Sequence, residues 1–200
     1  MAWAAADGLK MNFQQAGVDA VQNMFFNGWT HGHYVNSVFV FTPDGKIRMC
    51  VINAPGTFHD SCIADYGIYH GMETVFNATG GKVVVDSAFK ITDQEYLIRS
   101  SRNDPENAED LLVNRDATSV RQLSEWGMRM IQGQFPRIKD PIKYEKKGER
   151  KIILRLLIHL YNFQTSQVGI NTILNSYMQK DDNTFFGHQP LAETANMPNN

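Results

Sequence analysis

Asp7, Asp86 and Glu125 are the residues whose type and setting could carry chemistry. Asp86 closes the stretch Lys82–Phe89, KVVVDSAF. Val83, Val84 and Val85 are β-branched and read as a buried strand. A carboxylate at the mouth of such a strand costs desolvation free energy unless it is paired or holds a metal. Capping of the next turn is the competing role for Asp86. Ser87 and Ala88 follow and leave room for something bulky. Asp7 ends a predicted first strand, and Glu125 lies on a predicted helix. A sheet with a helix across its strand ends would bring the three side chains together. Hard oxygen ligands of this kind suit Mg²⁺ or Mn²⁺. Two such ions ~4 Å apart can activate water and stabilise the leaving oxygen of an in-line phosphoryl transfer. Without a cation, three close carboxylates repel and raise one another's pKa. With 21 Asp and Glu in the chain, however, some such triple can always be found, and spacing alone decides nothing.

Arg121 and Arg129 flank Glu125 at i−4 and i+4 and share its helix face. They form either helical salt bridges of ~0.2–0.5 kcal/mol each or phosphate contacts beside the site.

The elements that must position these residues follow from local pattern. Residues 2–7 read as a short strand broken by Gly8, and residues 13–32 as an irregular excursion. Tyr34–Phe41 and Ile47–Ile52 are β-rich runs around Thr42-Pro43-Asp44-Gly45-Lys46, a hairpin signal. Pro55–Ser61, PGTFHDS, leaves the sheet, and Asp60 or Ser61 can cap a helix over residues 62–78 that Gly67 and Gly71 weaken. Gly80-Gly81 leads into the valine strand, and Tyr96–Arg99 is a last short strand. Residues 100–116 are polar and loop-like. From Ala117 a helical pattern sets in, with Val120, Leu123, Gly127, Met130 and Ile131 on one face. Pro136 and Pro141 end or kink it. Lys151–Phe163 is a second helix, apolar almost all round, and so expected to be buried in the domain or in a dimer. Residues 179–200 read as a disordered tail. The order specifies an α/β fold: a mixed sheet with flanking helices and a helical C-terminal part.

At 200 residues one domain is expected. The net charge of −2 argues for no nucleic-acid partner by itself, but residues 115–155 hold eleven Lys/Arg against five Asp/Glu. Such a zone can follow a phosphate backbone or form a solvated helix face. Cys50 and Cys62 lack metal-motif spacing and are too few for a disulfide framework, which fits a reduced intracellular compartment. No apolar run approaches the ~20 residues of a membrane span, and the N-terminus lacks the basic start of a secretory signal.

The local wording is more specific than the spacing. ADGLK around Asp7, PGTFHDS around Asp60, VVVDSAF around Asp86 and RQLSEWGMRMIQGQFPRIK around Glu125 follow in that order. They resemble the blocks of the DDE superfamily endonuclease domain of Harbinger-type transposases. FFNGWTHGHYVNSVFVF resembles a strand of that family, and VGINTILNSY its closing helix. The likeness covers roughly residues 3–178, within an expected domain of residues 1–178.

The resemblance implies an RNase H-like fold and Mg²⁺- or Mn²⁺-dependent DNA cleavage and joining by two ions. Asp7 would bridge the ions, with Asp86 and Glu125 each completing one; Arg121, Arg129, Arg137 and Lys139 would hold DNA phosphates. Asp60 reads as a structural or supporting residue, a helix N-cap, and His59 as a turn residue. His31 and His33 read as strand-pairing residues, since no Cys or Glu lies near enough to complete a zinc site. Trp126 is expected to pack. DNA is the expected partner, a nuclear location follows from it, and an accessory DNA-binding protein and a homodimer are the further candidates. DSAF stands where the family has DSGY, and the chain begins almost at the first acid, without the upstream helices usual in such transposases. A non-catalytic DNA- or protein-binding remnant, truncated or domesticated, is therefore the second expectation.

Overall fold

The computed structural model describes residues 2–90, 94–99, 108–143 and 147–168, with 108–116 described by backbone alone. Its elements are β1 (Ala2–Asn12), α1 (Asp19–Phe25), β2 (Phe26–Asn27), β3 (Gly32–Phe41), β4 (Ile47–Pro55), α2 (Asp60–Ala64), α3 (Ile68–Thr79), β5 (Lys82–Val85), β6 (Leu97–Arg99), α4 (Ala108–Gln134), a 3₁₀ turn at Pro136–Lys139, and α5 (Lys147–Val168).

β1 is the axis of one mixed sheet. β3 lies antiparallel on one side of it, β5 parallel on the other, and β6 parallel beyond β5. β4 and the short β2 both pair with β3. The β3–β4 hairpin forms as the residues dictate. Thr42 N–H donates to the Lys46 carbonyl at 3.0 Å, and Asp44 accepts from the Lys46 N–H at 3.3 Å.

Helices cover both faces. Ala4, Ala6, Val38, Val40, Val83 and Val85 pack on Ile63, Ile68 and Met72 of α2 and α3. On the opposite face, Leu9, Met11, Phe39 and Phe41 meet Met128 and Ile131 of α4 and Leu154, Leu157, Ile158 and Tyr161 of α5. Ala5 and Val84 meet Ala117, Val120 and Leu123 of α4 there too. Tyr161 donates its hydroxyl to the Gly45 carbonyl at 2.9 Å, and Asn162 bonds both backbone groups of Ile47 at 2.8 Å. These contacts tie α5 to the hairpin. The architecture is RNase H-like, as expected from the resemblance.

Several elements differ from the sequence expectation. The first strand does not stop at Asp7 but continues to Asn12. Gly8 stays within it because Asp7–Asn12 pair in register with Tyr34–Phe39 of β3. The excursion at 13–32 contains α1 and β2. The helix expected over 62–78 is two helices, α2 and α3, with a turn at 65–67. α4 starts at Ala108 and not Ala117, so half of the polar stretch is helical. α5 is not buried all round. Leu154, Leu157, Ile158 and Tyr161 are buried, while Ile152, Ile153, Leu156, Leu160 and Phe163 are exposed. His31 and His33 do not share a strand face. His31 sits at positive φ (51°) before β3, while His33 pairs with Phe26 of β2. The expected closing helix, the domain limit at 178 and the tail lie outside the described residues.

Candidate active site

The parallel register of β1 and β5 sets the site. Ala5 pairs with Val84 and Ala6 with Val85, and Asp7 and Asp86 are the residues that follow this last pair. Neighbouring strands are ~4.8 Å apart. Side chains alternate along a strand, so Asp7 shares the face of Ala5. That face is covered by α4, whose Ala117, Val120 and Leu123 pack on Ala5 and Val84. Glu125 follows two residues later, only partly buried.

These acids act on one another. Burial is the main cause that pushes Asp7 up to about 6. The Gly8 N–H, donated to Asp7 Oδ1 at 2.7 Å, opposes the shift. The charges of Asp86, Asp60 and Glu125 add to it, so these three acids lie within electrostatic reach of Asp7. The Asp86 carboxylate also accepts the Ala88 N–H at 2.8 Å. Turn capping and a place at the acid cluster are thus compatible for this residue.

Asp60 does not take the helix N-cap role that the sequence suggested for it. His59 holds that position, α2 starts at Asp60, and no side-chain capping bond is made. Its carboxylate instead sits against Gly8, 2.4 Å from where a Cβ would stand. Burial and the Asp86 charge raise its pKa, while Lys10 and His59 lower it. The available signal was a glycine directly after Asp7, a small residue that makes room for a side chain from another element.

The basic residues are spread along α4 and beyond. Arg121 bonds Glu125 at 3.3 Å, with both side chains more than a third exposed. Such a pair is worth at most ~0.5 kcal/mol. Arg129, Arg137 and Lys139 are exposed. The Lys139 carbonyl accepts from Asn12 Nδ2 at 2.9 Å. Asn12 is roughly 17 Å along β1 from Asp7 at the usual rise per residue. Trp126 packs, partly buried, on the Ala5–Val84 cluster. Arg150, counted in the basic zone, is buried beneath the surface at 3% exposure.

The donor set consists of hard carboxylate oxygens, the type preferred by Mg²⁺ and Mn²⁺. A cation there would relieve the repulsion that raises Asp7. In kind, therefore, the residues fit such an ion. Among the described residues, however, no three His, Cys, Asp or Glu side chains form a group that could hold a metal ion as they stand.

The family described as DDE superfamily endonuclease matches residues 6–162. The chain belongs to that family, whose activity is that of a nuclease, a hydrolase acting on DNA. No curated protein and no solved structure matches. Among the described residues no helix is long and apolar enough to cross a membrane.

Proposed function

We propose that the chain is the metal-dependent endonuclease and strand-transfer domain of a Harbinger-type transposase, acting on DNA in the nucleus. What supports this reading is that Asp7 and Asp86 directly follow the last paired residues of β1 and β5, with Asp7 pushed up to about 6 by burial and by the charges of the other acids. Asp7, Asp86 and Glu125 would hold two Mg²⁺ or Mn²⁺ ions. When bound, these ions would activate water and stabilise the leaving oxygen of the phosphodiester. The chain's own contribution is to hold its carboxylates in place. The Gly8 N–H fixes the Asp7 carboxylate, and the Ala88 N–H fixes that of Asp86. Arg121 holds Glu125. Arg129, Arg137 and Lys139 offer exposed cations, leading away from the acids, on which a DNA backbone can lie.

Asp86→Asn is the test, because Asn can still accept the Ala88 N–H. Mg²⁺-dependent cleavage of a DNA duplex should disappear while the melting temperature is held or raised. Equal cleavage by both proteins would overturn the assignment. The second reading is a non-catalytic DNA- or protein-binding remnant. Its signature would be salt-sensitive DNA binding with no effect of divalent metal on unfolding.

A further inference from the structure

An open cavity of about 510 Å³ has no part in the mechanism above. Lys10, Phe26, Asn27, Trp29, Thr57 and His59 line it. Its volume falls within the range of small-molecule sites. Trp29 is 91% exposed, an unusual position for the largest apolar side chain. Its backbone is nevertheless held in place. Asn27 Oδ1 accepts the N–H groups of Trp29 and Thr30 at 3.1 and 3.2 Å, and Asn27 Nδ2 donates to the Gly56 carbonyl at 3.0 Å. Thr57 ties the facing wall to the Met24 carbonyl at 3.1 Å. The indole is therefore presented on a braced turn. The ionisable side chains of the lining are Lys10 and His59, both basic in character, and no carboxylate lines the cavity. Both act electrostatically on Asp60, so the basic end of the cavity lies within reach of that acid.

Resting on the nuclease reading, we propose that this cavity takes an unpaired nucleotide of the DNA substrate. Its base stacks on Trp29, and its phosphate lies against Lys10 and His59. Every base has a π-face, so such a site selects for strand separation rather than sequence. It would give the enzyme a preference for ends, nicks or frayed duplex next to the cut.

The full chain in Ca²⁺ buffer should be titrated with a single-stranded oligonucleotide carrying 2-aminopurine, and separately with a blunt duplex. Trp29→Ala should weaken single-strand binding roughly tenfold or more and abolish the 2-aminopurine quench, with duplex binding held within about twofold. Trp29→Phe should restore most of both. Lys10→Gln should reduce the salt slope by about one. If Trp29→Ala binds the single strand as the wild type does, the inference falls. It also falls if that variant changes only the oligomeric state, which would make Trp29 a protein interface. In either case, Mg²⁺-dependent cleavage by the wild type would leave the nuclease reading standing. A wild type that neither binds nor cuts DNA overturns both.

Discussion

The carboxylate of Asp60 occupies the space that a β-carbon on Gly8 would need: both of its oxygens lie 2.4 Å from that position. Gly8 lies in extended β1, in register with Val38 of β3, a conformation open to any residue. Its missing side chain therefore serves proximity and not backbone freedom. Through this gap an acid from α2 reaches the strand that carries Asp7, and its charge helps to raise Asp7.

A double-mutant cycle tests that relationship. Alone, Gly8→Ala should destabilise the protein by about 1–3 kcal/mol, the usual cost of overpacking. In an Asp60→Ala background the clash has no partner, and the same substitution should cost under about 0.5 kcal/mol. Urea denaturation of the four proteins measures the coupling. Additive costs would show that Asp60 does not lie over Gly8 in solution.

Asp7 makes stability depend on pH in an unusual direction. Its native pKa is about 6, raised from 3.8. The native state therefore binds this proton more tightly than the unfolded chain does. Stability from this group is fully present below about pH 4 and is lost as pH rises through 6. Asn at this position keeps an oxygen for the Gly8 N–H and has no charge to desolvate. Asp7→Asn should be more stable than the wild type at pH 7.5 by up to about 3 kcal/mol. The difference should close by pH 4. Added Mg²⁺ should raise the melting temperature of the wild type and leave the variant unmoved. Stability–pH profiles that run parallel for the two proteins would refute this account.

Elements with a strong local pattern were legible in the sequence. The run Val83–Val85 is a buried strand with Asp86 at its end, and the Thr42–Lys46 turn joins two strands. Val120, Leu123 and Ile131 are buried on one helix face, as their spacing requires. Tertiary contacts decided what was not legible. Gly8 would break an isolated strand, but β3 pairs across it. Asp60 has the composition of a cap, yet the space above Gly8 captures it. The apolar residues of α5 exceed what one sheet face can cover, so period and composition gave no unique buried side. The four acids come from elements far apart in sequence. That Asp86, Asp60 and Glu125 come within electrostatic reach of Asp7 depends on strand register and helix packing, which no local window contains.

Arg150 belongs to the core of the fold rather than to a DNA surface. Its guanidinium carbon lies 5.0 and 5.6 Å from the ring centroids of Phe13 and Phe25, themselves stacked at 4.1 Å. Nε donates to Asn53 Oδ1, and a terminal nitrogen donates to the Lys143 carbonyl at 3.2 Å. One side chain thus joins the end of β1, α1, β4 and the start of α5. Arg150→Lys keeps the charge but loses the planar fork and its stacking. It should cost about 2–4 kcal/mol in urea denaturation and leave the salt slope of DNA binding unchanged. A loss of phosphate binding with unaltered stability would place Arg150 at the surface instead.

Gly127 fixes how closely α4 approaches the sheet, and with it the position of Glu125. A β-carbon there would meet the Phe41 ring at 2.4–2.7 Å. That ring is fully buried and packs edge-on against Tyr161 at 6.3 Å, so it has little room to yield. Helix propensity alone gives Gly127→Ala a gain of about 1 kcal/mol. The clash predicts the opposite sign, a loss of about 1–3 kcal/mol. Lifting α4 also carries Glu125 away from Asp7 and Asp86, so Mg²⁺-dependent cleavage should fall at least tenfold at temperatures where the variant remains folded. Phe41→Leu in the same chain should recover part of both losses by opening space under the helix. A Gly127→Ala protein that is more stable than the wild type and equally active would show that the close contact between α4 and β3 does not position Glu125.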